Sequence, residues 1–178
     1  MKTNNNKMKH LRASSLFKKI LIAIITIILV YITIIYISSR GSKVLVISHQ
    51  ETEEIYLMEK IQPGDTLHFK WIHSFEHIPW TEEFEILDNN QLALHIITVA
   101  GFGAGIPENK GTVSIVDGII IMSDINEIFE EINWINSNTA LVFIGVNDKE
   151  LIKGSDLPHH ELLKLRVEER VFIWPKLH

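Results

Sequence analysis

Residues 66–99 read TLHFKWIHSFEHIPWTEEFEILDNNQLALHIITV, and the pattern of this stretch decides the fold. From Thr66 the chain is rich in aromatic and β-branched residues, so Thr66–Glu76 is expected to be one long strand. Pro79 interrupts it, because proline has no N–H to give to a sheet ladder. Thr81–Leu87 then alternates, with Glu82, Phe84 and Ile86 on one side and Glu83, Glu85 and Leu87 on the other. Asp88-Asn89-Asn90 is a turn signal, and Gln91–Val99 is the return strand. Strands that follow one another through short turns pair antiparallel.

The same reading extends in both directions. Val44–Ser48 and Glu54–Glu59 form a hairpin around Gln50-Glu51-Thr52, and Pro63-Gly64-Asp65 is a turn. Val113–Val116 and Ile119–Ser123 flank Asp117-Gly118, a strong hairpin signal. Ala140–Val146 and Glu150–Lys153 lie around Asn147-Asp148, and Arg166–Trp174 closes the domain as a strand. One helix is expected where Asp124 caps, Glu127 completes a capping box, and Ile125, Ile128, Phe129, Ile132 and Ile135 recur at helical spacing. Pro158–Leu163 reads as a short helical turn. The expected fold is mainly β: an antiparallel β-sandwich or barrel-like domain with one or two short helices, preceded by one N-terminal transmembrane helix.

That helix is read from Ile20–Ile37, 18 residues without a charge. They would give a helix of about 27 Å against a hydrocarbon core of about 30 Å. Thr26 and Thr33 are tolerable there because a helical hydroxyl can bond a carbonyl one turn back. Lys2, Lys7, Lys9, Arg12, Lys18 and Lys19 precede the run with no acidic residue among them, whereas only Arg40 and Lys43 follow nearby. The positive-inside rule therefore puts the N-terminus in the cytoplasm and the rest outside. A cleaved signal peptide is the rival; its apolar run is usually shorter and ends at a small-residue site not seen here. The expected organisation is a basic cytoplasmic tail (1–19), a signal anchor in the cell membrane (20–37), a linker (38–43) and an extracytoplasmic β-domain (44–178). Beyond residue 39 the chain has eleven basic and 22 acidic residues, a net charge of −11. Such a balance argues against nucleic acid or anionic lipid as a ligand. With no cysteine, disulfides and a lipoprotein anchor are both excluded.

Within the opening stretch, Trp71–Glu83 concentrates the chemistry: two Trp, two His, a Ser and three Glu. On a strand His73 and His77 would lie about 13 Å apart, too far to share a metal unless a bend at Ile78-Pro79 curls His77 back. Adjacent Ser74 and His73 would point to opposite faces and could not form a nucleophile–base pair. Strand parity puts Phe69, Trp71, His73 and Phe75 on one face, and Ile72, Ser74 and Glu76 on the other. A half-buried structural histidine is the competing reading of His73. No catalytic residue, metal ligand or cofactor is assigned. The candidate binding residues are Trp71, His73, Ser74, Glu76, Trp80, Glu82 and Glu83, with Gly103 and Gly105 in Ala100-Gly101-Phe102-Gly103-Ala104-Gly105-Ile106-Pro107. That glycine run lacks the spacing and following helix of a dinucleotide fingerprint. A turn packed under Trp71–Glu83 suits it better.

Trp71, His73, Ser74, Phe75, Glu76, Pro79, Trp80 and Glu83, followed by Gly103, Ala104, Gly105 and Pro107, resemble the motifs of the domain-of-unknown-function family 1850 (DUF 1850). The resemblance covers about residues 44–175. It implies a small extracytoplasmic protein often encoded beside TRAP-type transporters of the TAXI class, which use a solute-binding protein and import carboxylate-type solutes. No activity comes with it. The functional expectation is a membrane-anchored accessory or binding module whose partners are transporter subunits, the solute-binding protein or a small solute. An extracytoplasmic hydrolase using His73 and a carboxylate, and a structural envelope protein, are the alternatives.

Overall fold

A computed structural model describes residues 3–38, 41–101 and 110–170, with the side chains of the first helix described from Phe17 to Tyr36. The chain divides into two compact units, one holding the N-terminal helix and the other spanning Ser42–Arg170.

Helix α1 runs from Thr3 to Ser38. Its segment Phe17–Tyr36, with a mean hydropathy of 2.6, is long and apolar enough to cross a membrane, a property signal sequences share. The Thr26 and Thr33 hydroxyls donate to the carbonyls of Ile22 and Leu29, one turn back, as the sequence suggested.

The second unit is built of antiparallel strands: β1 (Ser42–His49), β2 (Ile55–Lys60), β3 (Thr66–Ile72), β4 (Pro79–Ile86), β5 (Leu92–Val99), β6 (Thr112–Val116), β7 (Ile119–Ser123), β8 (Glu127–Phe129), β9 (Glu131–Ile135), β10 (Leu141–Val146), β11 (Lys149–Lys153) and β12 (Leu162–Arg170). One sheet has the order β2-β1-β12-β9; the other has β11-β10-β3-β4-β5-β7-β6, with β8 alongside β5. Both contribute to one core. Leu45, Ile47, Leu163 and Leu165 come from the first sheet, and Leu67, Phe69, Phe84, Ile86, Met122 and Ile144 from the second. Two antiparallel sheets closed on a shared apolar layer make a β-sandwich, as the alternation of 66–99 requires.

Packing is aromatic at its centre. Phe69 stacks on Trp71 with ring centroids 5.5 Å apart and meets Phe84 and Trp134 edge-on, each at 5.9 Å. A bulge in β5 keeps this layer inward. Glu83 pairs with Ile96 but Phe84 with Leu94, so His95 is the extra residue. Leu92 and Leu94 before it, and Ile97 and Val99 after it, are all buried although their parity changes.

Three sequence expectations are corrected. The segment Asp124–Ile135 is two short strands, β8 and β9, instead of a helix. Asp124 and Asn126 adopt left-handed φ of 57° and 55°, whereas a helix cap needs an extended φ at Asp124. The strand from Thr66 stops at Ile72 instead of Glu76, and Ser74-Phe75-Glu76 is a turn. The short helical turn lies at Gly154–Asp156, ahead of Pro158–Leu163. Of the closing strand, the structure describes Leu162–Arg170; the expected continuation to Trp174 lies outside the described residues.

Candidate functional site

The β3–β4 hairpin places the site. Ile72 pairs with Pro79 and Trp71 with Trp80. Between them the His73 N–H donates to the Ile78 carbonyl (2.8 Å) and the His77 N–H to the His73 carbonyl (2.9 Å). His77 closes the loop with a φ of 54°, a left-handed value that histidine tolerates better than β-branched residues do. The argument that His73 and His77 are separated along a strand is therefore overturned: their backbones meet across one tight turn. Among the described residues, no three His, Asp or Glu side chains gather as metal ligands.

The turn also settles His73. Its Nδ1 accepts the Glu76 N–H at 3.1 Å, so the proton of the neutral ring sits on Nε2. Its ring lies parallel to Trp80, with centroids 5.9 Å apart and planes at 11°. His73 thus has a structural role in the loop, yet it also forms part of a cavity wall.

That cavity, of about 380 Å³, is lined by Trp71, His73, Ser74, Trp80 and Glu82 from the hairpin, and by Ile132, Asn133 and Trp134 from β9. It opens where β3 and β4 of one sheet face the edge strand β9 of the other. Five of the sequence candidates converge here. Two others do not: Glu76 is half-buried within the turn, and Glu83 points to the opposite face of β4, where it lies 3.8 Å from the Nδ1 of His68. Parity fails at Phe75, which projects from the turn, 74% exposed. Gly103 and Gly105 lie outside the described residues. The start of their segment does reach the hairpin: Ala100 donates to the Pro79 carbonyl (3.0 Å), and Gly101 sits so close to Ile78 that a Cβ would meet its Cδ1 at 3.2 Å.

Glu82 is the chemically distinctive member. It occupies the inward row of β4, between Trp80 and Phe84, where apolar residues are the rule. It accepts a hydrogen bond from the Trp71 indole at 3.2 Å. Burial pushes its carboxyl above the ordinary glutamate range, and the Trp71 bond and the more remote Lys110 charge only partly offset this. The indole nitrogens of Trp80 and Trp134 are buried without a hydrogen-bond partner among the described residues, although such donors are usually satisfied.

Sequence reading missed Trp134, Ile132 and Asn133 because it placed them on a helix. The signal was there: Glu131-Ile132-Asn133-Trp134-Ile135 alternates polar and apolar residues up to Trp134, and two turn-forming residues, Asp124 and Asn126, stand before it.

Residues 67–151 match the model of a family described as a domain of unknown function (DUF1850). The match supports the resemblance drawn from the Trp71–Glu83 motif, and its span takes in every residue of the cavity wall. No curated protein and no solved structure gives a match.

Proposed function

We propose that this protein is a membrane-anchored accessory module that binds a small solute in the Trp71–Trp80–Trp134 cavity. The single observation that carries this reading is the convergence of Trp71, His73, Ser74, Trp80 and Glu82 on one concave site closed by Trp134. Its volume of about 380 Å³ falls in the range of small-molecule sites, roughly 300–1,000 Å³, and its mixture of aromatic walls with a few polar groups is typical of them. The reading puts the β-domain on the extracytoplasmic face, supported by the basic residues before Ile20. It makes a TRAP-type transporter of the TAXI class the neighbour, supported by the resemblance to DUF1850.

The geometry favours binding over hydrolysis. A general base needs a free lone pair toward its substrate, and the Nδ1 lone pair of His73 is committed to the Glu76 N–H.

Trp71, Trp80 and Trp134 line the cavity, so intrinsic fluorescence of the detergent-solubilised full chain reports occupancy directly. A saturable change with at least one member of a panel of neutral, anionic and cationic small solutes is expected. A flat response to the whole panel would refute the solute-binding reading. Affinity purification from native membranes tests the neighbour separately, and absence of every transporter subunit from the eluate would count against it.

A further inference from the structure

Three indoles and one acid define what the cavity can hold. Trp71 and Trp80 are cross-strand neighbours on the inner face of β3 and β4, and Trp134 faces them from the other sheet. Indole has the most electron-rich face of the natural side chains, and a cation placed against several such faces is attracted by each of them. Glu82 is the one wall residue with a formal charge among those described. It makes no ion pair among the described residues; its hydrogen bond comes from a neutral indole. Lys110, the one cation that acts on its carboxyl among the described residues, is paired with Glu127. A carboxylate placed in an apolar wall without a countercharge is costly, and a ligand carrying the countercharge would offset that cost.

Building on the solute-binding reading, we infer that the cavity takes an organic cation of the quaternary ammonium class, held by the Trp71, Trp80 and Trp134 faces and neutralised by Glu82. Such a cation is bulky, weakly hydrated and free of N–H donors, so it loses little on leaving water and needs no further acceptors from the wall. A carboxylate solute would be repelled by ionised Glu82. This site would therefore not duplicate the substrate site of a carboxylate importer.

The test titrates the detergent-solubilised full chain with tetramethylammonium, choline and the neutral choline isostere 3,3-dimethylbutan-1-ol, read by tryptophan fluorescence. Choline is expected to bind at least about tenfold more tightly than the isostere. Glu82→Gln, which keeps an acceptor for the Trp71 indole, is expected to lose about tenfold for choline while leaving the isostere unchanged. Trp134→Phe should weaken choline in the same direction but less. Monomeric dihexanoyl phosphocholine separates two sources of the same chemistry: binding tighter than choline assigns a lipid headgroup, and weaker binding assigns a free solute. Equal affinity for choline and the isostere, or indifference to Glu82→Gln, would overturn the cationic class while leaving the solute-binding reading intact. Binding of carboxylate or neutral solutes without any binding of the cations would overturn it in the same way. Silence toward every probe would remove both.

Discussion

At the residue scale, the position of Glu82 has a consequence for stability. Its folded pKa is raised above the ordinary 4.5, chiefly by burial. Between the unfolded and folded values the folded state holds more protons, so stability falls as pH rises through that window and is level on either side. Glu82→Gln should therefore melt at a higher temperature than the wild type at neutral pH. The advantage should shrink to nothing as pH drops below 4.5, measured by thermal unfolding across pH. Asn136 is the opposite case, a buried polar group that belongs to the architecture. Its Nδ2 donates to the carbonyls of Gly154 and Pro158, both at 3.0 Å, so it ties the segment after β9 to the one after β11. Asn136→Ala strands those carbonyls and should cost about 1–3 kcal/mol in urea unfolding.

At the scale of elements, two close approaches fix where strands meet. Gly154 begins the short 3-10 helix against β10, and a Cβ there would meet the Leu141 carbonyl oxygen at 2.2 Å. Gly154→Ala must push the 3-10 helix away from Leu141, a buried core residue of β10. The cost should be about 1–3 kcal/mol, seen as a lower urea midpoint at an unchanged slope. The β3–β4 loop depends in the same way on His77. Its φ of 54° suits His77→Gly but not His77→Val, so the valine variant should lose about 1–2 kcal/mol relative to the glycine variant. Because Trp71 and Trp80 are paired across this hairpin, the valine variant should also shift the tryptophan emission of the folded state.

At the scale of the whole molecule, charge and topology make further predictions. On one sheet Lys164 and Arg166 both reach Glu53, and Arg166 and Arg170 both reach Glu168. Burial raises the Glu168 carboxyl, but hydrogen bonds from the two arginines outweigh it and hold it below the usual range. The Lys164 bond lowers that of Glu53 despite desolvation. These depressed values contribute stability above the unfolded pKa, and it is lost as pH falls through the folded ones. Acid unfolding of the wild type should therefore shift to higher pH in Glu168→Gln, monitored by circular dichroism. The proposed topology has a clean reporter, because the chain contains no cysteine. Asp148→Cys, on the exposed β10–β11 turn, should react with a membrane-impermeant maleimide in cells whose cytoplasm stays sealed. Labelling only after lysis would place the β-domain on the other side.

The sequence by itself determined the hydropathy of Ile20–Ile37, the antiparallel β class and most strand positions from Val44 to Lys153. All of these follow from local patterns: an uncharged run, period-two alternation, and turn chemistry at Pro63-Gly64-Asp65, Asp117-Gly118 and Asn147-Asp148. It also singled out Trp71, His73, Ser74, Glu76, Trp80, Glu82 and Glu83 as a group, because titratable and aromatic residues crowd there beyond what a plain strand needs. Tertiary structure alone decided which of them share a site. Backbone hydrogen bonds that curl His73–Ile78 into a tight turn removed Phe75 and Glu76 from the strand's parity. Alternation told Glu82 from Glu83, but only the core showed that Glu82 faces inward. Trp134 joined the cavity through a pairing of β9 with β12, Leu163 opposite Trp134. That contact spans almost thirty residues, and helical spacing of isoleucines at 125–135 had pointed elsewhere. Local periodicity cannot choose between two weak patterns. The long-range pairing that buries Trp134 against Phe69 made that choice.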